Sequence, residues 1–374
     1  MKVLLLSAYA AQSHVYWQDS LLAMFPDWQW QVLTLPPRHF SWRVRGNPLY
    51  WALQEADVLN AQYDLLLATS MVDLATLRGL VPALSQLPSA LYFHENQFAY
   101  PSSGAKNSLL EAQMVSLYSA LAADRLLFNS GYNRDSFLSG CEQLLKRLPD
   151  KVPAGIPALL KGKMAVVPVP VARPQPCDET DIPWDDTAPD FPDRPLRLLW
   201  QGRFEHDKGG EGLLLALRQL EQSPLDYELA VIGQQFRDAP AAFTDIEQQF
   251  SHRLVQFGFV PERGDYHQYL LNADMVLSTA LHEFQGLAVL EAVAAGCIPV
   301  VPQRLAYPEI FSPQFCYPIG GAEQEATAAA QRIMSLADAL ADGLEPPDVS
   351  RFSQGALMER YRSEFLQLAN GPGQ

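Results

Sequence analysis

Cysteine is scarce in this chain, and its four copies, Cys141, Cys177, Cys297 and Cys316, lie far apart. No CxxC pair and no metal-ligand spacing exists among them, so reduced structural thiols in a cytoplasmic protein are expected. Charge is low as well: 18% of 374 residues, with 27 Lys and Arg against 42 Asp and Glu and a net of -15. That balance argues against loose binding to nucleic acid or to an anionic membrane, which depends on many cationic contacts. A basic site is then expected only where the sign reverses locally. Long apolar runs are missing too. None approaches the ~18 residues of a membrane-spanning helix, so no membrane partner is expected. The opening MKVLLLSAYA has an apolar run of about five residues and no cleavage-like region, which suits a first buried strand better than a secretory leader.

What is present is apolar and alternating. Hydrophobic residues make up 48% of the chain, enough for two cores at ~100–200 residues per domain. Val3–Leu6, Trp30–Leu35, Asp64–Thr69, Ala90–His94, Arg125–Asn129 and Met164–Val169 read as buried strands, with Ser108–Ala122 the clearest helix between them. Strands at Arg197–Gly202, Glu228–Gly233, Leu254–Val260, Met275–Thr279 and Cys297–Pro302 follow, separated by helices at Gly212–Glu221, Tyr266–Asn272 and Gly286–Ala295. Near-continuous apolar strands alternating with helices imply parallel sheets covered on both faces, an α/β class twice over. From Pro168 to Pro195 the chain is dense in proline and acid, an extended connector that carries much of the excess negative charge. The expected domains are 1–172 and 195–345, with a linker at about 173–194 and a terminal segment 346–374 whose Phe352–Leu368 has helical spacing.

Two stretches of the second half carry chemistry. Trp200–Gly209 reads WQGRFEHDKG directly after a strand, where ligands of open α/β sheets bind. Arg203 offers a planar fork of donors and Lys208 a compact charge, a suitable pair for a diphosphate; taken alone, an ordinary loop with solvated charges fits equally well. His282–Pro302 reads HEFQGLAVLEAVAAGCIPVVP. Glu283 sits in a loop after a strand, and Phe284, Gln285 and Gly286 present backbone N–H groups at a helix N-terminus, where an anion is favoured. Glu291, inside that helix, can accept hydrogen bonds from ribose hydroxyls. Two glutamates in an otherwise apolar run need partners.

The Arg203 and Lys208 loop with the Glu283…Glu291 pair resembles the donor site of retaining glycosyltransferases of the two-Rossmann GT-B architecture, in the family 4-like group. The resemblance implies that Arg203 and Lys208 hold the donor diphosphate, Glu291 the ribose, and Glu283 with the following amides the sugar. It also implies a site in an inter-domain cleft and a terminal helix that crosses back to the first domain.

In the first half, Ala90–Pro101 reads ALYFHENQFAYP, a strand running into a polar loop. His94 can bond a sugar hydroxyl, with Glu95, Asn96 and Gln97 at the same edge; a structural histidine is the plainer alternative. Pro36–Tyr50, PPRHFSWRVRGNPLY, holds Arg38, Arg43 and Arg45 among Phe40, Trp42 and Tyr50, with no acid before Glu55. Basic side chains interleaved with aromatics suit a phosphate backbone and unstacked bases, although a surface loop packed by its own aromatics has the same composition. The HENQ motif, the early Ser13-His14 and the RHFSWRVRG segment look like the tRNA-queuosine mannosyltransferase family. That resemblance spans nearly the whole chain and implies transfer of mannose from GDP-mannose, as co-substrate, to queuosine in the anticodon loop of tRNA(Asp).

The expected route is same-face displacement, the leaving diphosphate taking the acceptor proton, with positioning and charge stabilisation from the protein. His94, Glu283, Arg203 and Lys208 are the expected catalytic set. No cofactor and no metal are expected, since the cations and helix amides can neutralise the diphosphate and the only paired acids of that kind, Asp185-Asp186, lie in the connector. No protein partner is evident. Three alternatives stay open: a family 4-like enzyme with a saccharide or small-molecule acceptor, a nucleotide-sugar epimerase on the same fold, and a non-catalytic RNA-binding protein.

Overall fold

A computed structural model describes residues 1–99, 106–176, 182–184, 189–236 and 239–371. Tyr100, Pro101, Cys177 and the Asp185-Asp186 pair lie outside the described residues. The chain forms two compact units, Met1–Pro170 with Gln354–Gln374, and Val171–Ser353.

The first unit is built on six parallel strands: β1 (Lys2–Ser7), β2 (Gln29–Thr34), β3 (Leu65–Thr69), β4 (Ser89–Phe93), β5 (Arg125–Phe128) and β6 (Met164–Val166), in the order β2-β1-β3-β4-β5-β6. Apolar runs bury β3 and β4 throughout and β1 at every position but Lys2, as strands covered by helices on both faces must be. The expected sixth strand ran to Val169, but β6 stops at Val166; Pro168 has no N–H to continue a ladder.

The second unit repeats the plan with β7 (Leu196–Gln201), β8 (Tyr227–Ile232), β9 (Leu254–Gly258), β10 (Met275–Leu277), β11 (Ile298–Pro302) and β12 (Cys316–Tyr317), ordered β12-β11-β10-β7-β8-β9. Strand β12 is an addition to the expected set: two residues, Cys316 opposite Val301 and Tyr317 opposite Pro302, too short to leave a periodic trace.

The terminal helix runs Gln354–Ala369 and belongs to the first unit, burying Leu357, Tyr361 and Phe365. The Trp17 indole donates to the Tyr361 hydroxyl at 3.0 Å, and the Arg125 guanidinium grips Glu364 through two bonds of 2.7 and 3.0 Å. Phe352, expected at the start of this apolar face, instead sits in a turn, Ser350–Phe352, and is buried in the core of the second unit.

Candidate functional site

Both sheets have a point where strand order reverses, and in such folds ligands bind beyond the carboxyl ends of the strands that flank it. In the second unit the chain steps from β7 outward to β8 and β9, then returns to the other side of β7 as β10. The loops after β7 and β10 therefore meet, and they are the two stretches that carry Lys208 and Glu283.

Lys208 closes a short turn, His206–Lys208, whose next residue is Gly209 at φ 72°. A Cβ on Gly209 would lie 2.0 Å from the Thr279 carbonyl, so only glycine lets this turn press against the end of β10. Backbone bonds from Leu281 and His282 to the Asp207 carbonyl complete the join. As a result the Lys208 ammonium lies 3.0 Å from Glu283 Oε2 and 3.5 Å from Asp207 Oδ2. Burial opposes the lysine charge, but Glu283 and Asp207 outweigh it and hold Lys208 above its ordinary value. Burial likewise opposes ionisation of Glu283. Lys208, with the N–H groups of Gly286 and Phe284, outweighs it and holds the carboxylate below its ordinary value. The pair is a charged one.

The amides around Glu283 are arranged differently from expectation. Phe284 N–H donates to Glu283 Oε1 at 3.1 Å, and Gly286 also bonds that carboxylate, so these donors satisfy the glutamate before any ligand arrives. Gln285 is buried. The helix starts at Leu287, one residue later than expected, with Gly286 at φ 75° as its cap. Arg203 is partly exposed and pairs with Glu205 at 3.0 Å.

Glu291 finds a partner that the sequence reading missed. Tyr266, from the helix Arg263–Asn272, donates its hydroxyl to Glu291 Oε2 at 2.9 Å and lies 3.2 Å from Gln201 Oε1 at the end of β7. Burial pushes the Glu291 carboxyl up, partly offset by Tyr266 and by the charge of Arg263. The signal available in the sequence was a tyrosine on the inward face of a helix following β9, which periodicity alone assigns to packing.

In the first unit, His94 follows β4 directly and is buried among rings. It stacks on His14 with centroids 4.1 Å apart, meets the edge of Trp17 at 5.1 Å and lies 4.8 Å from Tyr92. Its Nε2 is buried and has no hydrogen-bond partner among the described residues. Burial first, and then His14, push its pKa well below the ordinary value, so the ring is neutral near pH 7. His14 Nε2 lies 3.2 Å from Glu95 Oε2, while Ser13 is exposed beside it.

Asn96 and Gln97 were expected as polar groups offered to an acceptor, and the structure turns them inward. The Asn96 amide donates to Asn133 and Ser136, and its oxygen accepts from the N–H groups of Phe98 and Ala99 at 3.0 Å each. Gln97 is buried with its amide on the Met71 sulfur. Both hold the loop that carries His94 and Glu95.

The basic segment is a helix, Phe40–Gln54. Pro48 lies inside it, and the carbonyl of Val44 that its missing N–H would have bonded receives the Asn47 side-chain amide at 3.0 Å. Arg43 and Arg45, two positions apart, point about 200° away from each other around the helix. Arg45 pairs with Asp73 and, at 3.2 Å, with Glu111, whereas Arg43 donates to the Pro36 carbonyl at 3.2 Å and Arg38 is exposed ahead of the helix. The three arginines thus do not form one uninterrupted cationic face, because acids distant in sequence close on Arg45. Among the described residues no group of His, Cys, Asp and Glu could hold a metal ion, and no helix is long and apolar enough to cross a membrane.

Comparison with known proteins matches both units. A family model described as tRNA-queuosine alpha-mannosyltransferase N-terminal covers residues 2–171, and one for glycosyl transferases group 1 covers residues 184–345. The tRNA-queuosine alpha-mannosyltransferase of Drosophila melanogaster is 32% identical over 315 residues, 84% of this chain and 83% of that protein. The crystal structure of Anabaena HepE with UDP and glucose has a TM-score of 0.61 at 15% identity over 98% of this chain and 100% of its own. Sucrose-phosphate synthase from Thermosynechococcus elongatus gives 0.63 at 14% identity, covering 98% of this chain and 99% of that one. These structures share the GT-B fold with the chain. With the family models and the fly enzyme agreeing along most of its length, the chain belongs to the tRNA-queuosine alpha-mannosyltransferase family of glycosyltransferases.

Proposed function

We propose that this protein is a retaining mannosyltransferase that moves mannose from GDP-mannose to queuosine in the anticodon loop of tRNA(Asp). The observation that carries the reading is the charged Lys208–Glu283 pair at the strand-order reversal of the second unit. A bound diphosphate would compete with Glu283 for the lysine and release the carboxylate to the hydroxyls of the sugar. Arg203 adds a second cation, and Glu291, oriented by Tyr266, takes the ribose hydroxyls. On the first unit, Ser13, His14, His94 and Glu95 face the acceptor side of the reaction, and Arg38, Trp42 and Arg43 the RNA.

In the transfer, the bond between sugar C1 and the diphosphate oxygen breaks while the acceptor oxygen bonds C1 on the same face. The acceptor proton passes to the leaving diphosphate, so no side-chain nucleophile and no resident cofactor enter the balance. Charge developing on the leaving group is met by preorganised cations, the largest single source of stabilisation in such sites. A cytoplasmic location follows from the tRNA substrate. The test is incubation of the purified protein with total tRNA and a panel of nucleotide sugars, followed by mass analysis of the nucleosides. A hexose added to queuosine from GDP-mannose supports the reading, whereas transfer only to saccharides, or only from another donor, replaces it.

A further inference from the structure

Trp42 is the most exposed tryptophan side chain whose ring also has a fixed seat. It is 59% exposed, yet its indole lies directly on the backbone at Gly46, one helical turn on: a Cβ there would fall 2.5 Å from Trp42 Cε2. Glycine inside a helix is destabilising relative to alanine, so the space it leaves is used by the ring. One indole face rests on the helix and the other faces solvent. The spacing 4, 3, 4 continues the stripe through Gly46 to Leu49 and Leu53, which are 51% and 68% exposed, with Tyr50 beside them at 48%. No acid occurs from Pro36 to Gln54, and the acids that approach from elsewhere, Asp73 and Glu111, are taken by Arg45. A flat ring held against a helix presents a face and not a projecting wedge, which suits a planar base better than a lipid chain.

Building on the tRNA reading, we propose that Trp42, seated on Gly46, is a stacking platform for one unpaired base of the RNA acceptor, with Arg43 and Arg38 supplying the neighbouring phosphate contacts. Stacking supplies affinity without counterion release, whereas arginine–phosphate contacts supply affinity with it. The two contributions separate in a salt series.

The experiment is filter binding of queuosine-containing tRNA(Asp) across salt concentrations with wild type, W42A, W42Y and G46A, beside GDP-mannose calorimetry on the same proteins. W42A is expected to weaken tRNA binding by roughly 5- to 150-fold at every salt concentration with the salt slope unchanged. W42Y should keep most of the affinity. G46A should weaken binding although Trp42 is retained and the helix gains intrinsic stability, because its methyl displaces the ring. Donor affinity should be the same in all four. Wild-type affinity in W42A, or a changed slope with no offset, overturns the platform while leaving the tRNA reading intact. A W42A protein that binds tRNA normally but loses cosedimentation with anionic phospholipid vesicles would reassign the stripe to a membrane surface. Absence of tRNA binding by the wild type would remove the tRNA reading itself, and the platform with it.

Discussion

Two partly buried networks set what single residues do. Lys208 and Glu283 neutralise each other, so removing one leaves the other's charge, poorly solvated, to Asp207 or to the Phe284 and Gly286 amides alone, which costs more than removing both. Lys208→Ala is expected to lower stability by about 1–3 kcal/mol, and Lys208→Met with Glu283→Gln by less than that single change; denaturant titration checks the order. At the other network, Tyr266→Phe deletes the bond to Glu291 and should weaken donor binding about 2- to 13-fold, from a contribution of roughly 0.5–1.5 kcal/mol. His94 gives a pH signature. Its folded pKa lies well below the ordinary ~6.5 because burial and His14 disfavour the cation. The unfolded chain therefore binds the extra proton first as pH falls, and stability present above about 6.5 is lost progressively below it. His94→Phe keeps a ring in the stack and should flatten that acid-side slope in thermal melts recorded from pH 7 to 5.

At the scale of elements, the strands were legible and several helices were not. Eleven of the twelve strands among the described residues stand out as short, largely apolar runs between polar stretches, since a strand covered on both faces is mostly apolar. Neither Gln12–Met24 nor Phe40–Gln54 is strongly amphipathic, and the second contains the breakers Gly46 and Pro48; its Asn47 is held by a tertiary bond to the Met71 carbonyl at 3.2 Å. Ala322–Ala341 is alanine-rich and helical by propensity, a local signal that attention to strand alternation passes over. The chemistry divides the same way. Lys208 and Glu283 follow strand ends and Glu291 lies in the helix after Glu283, positions legible in the sequence, but Tyr266 was not, since its bond is to a side chain twenty-five positions away. The partners of Asn96, Gln97 and Arg45 were hidden for the converse reason: polar groups look available in sequence until Asn133, Met71, Asp73 and Glu111 fold onto them. The terminal helix yields its own prediction. Tyr361→Phe removes the acceptor of the buried Trp17 indole N–H and the donor to the Pro168 carbonyl at 2.9 Å, so it should cost about 1–3 kcal/mol. Ending the chain at Ser353 would expose Trp17 and should make the first unit labile in limited proteolysis.

For the whole molecule, the net charge of -15 coexists with an RNA acceptor only if cations are placed where RNA lies. Affinity for tRNA should then fall with salt along a shallow slope set by a few arginines, since counterion release depends on interface cations and not on the total. Arg38→Glu with Arg43→Glu should flatten that slope and weaken tRNA binding, with Arg45 left to its structural ion pairs. The central claim, however, is that the switch-point pair of the second unit is the donor site of a mannosyltransferase, and it can be measured directly by calorimetric titration of GDP-mannose. The account predicts binding by the wild type and by the Arg38→Glu, Arg43→Glu protein, with affinity reduced by about 10- to 150-fold in Lys208→Ala and in Glu283→Gln, each having lost a charge-assisted contact worth roughly 1.5–3 kcal/mol. Unchanged affinity in both of those variants, once each is shown to be folded, would contradict it.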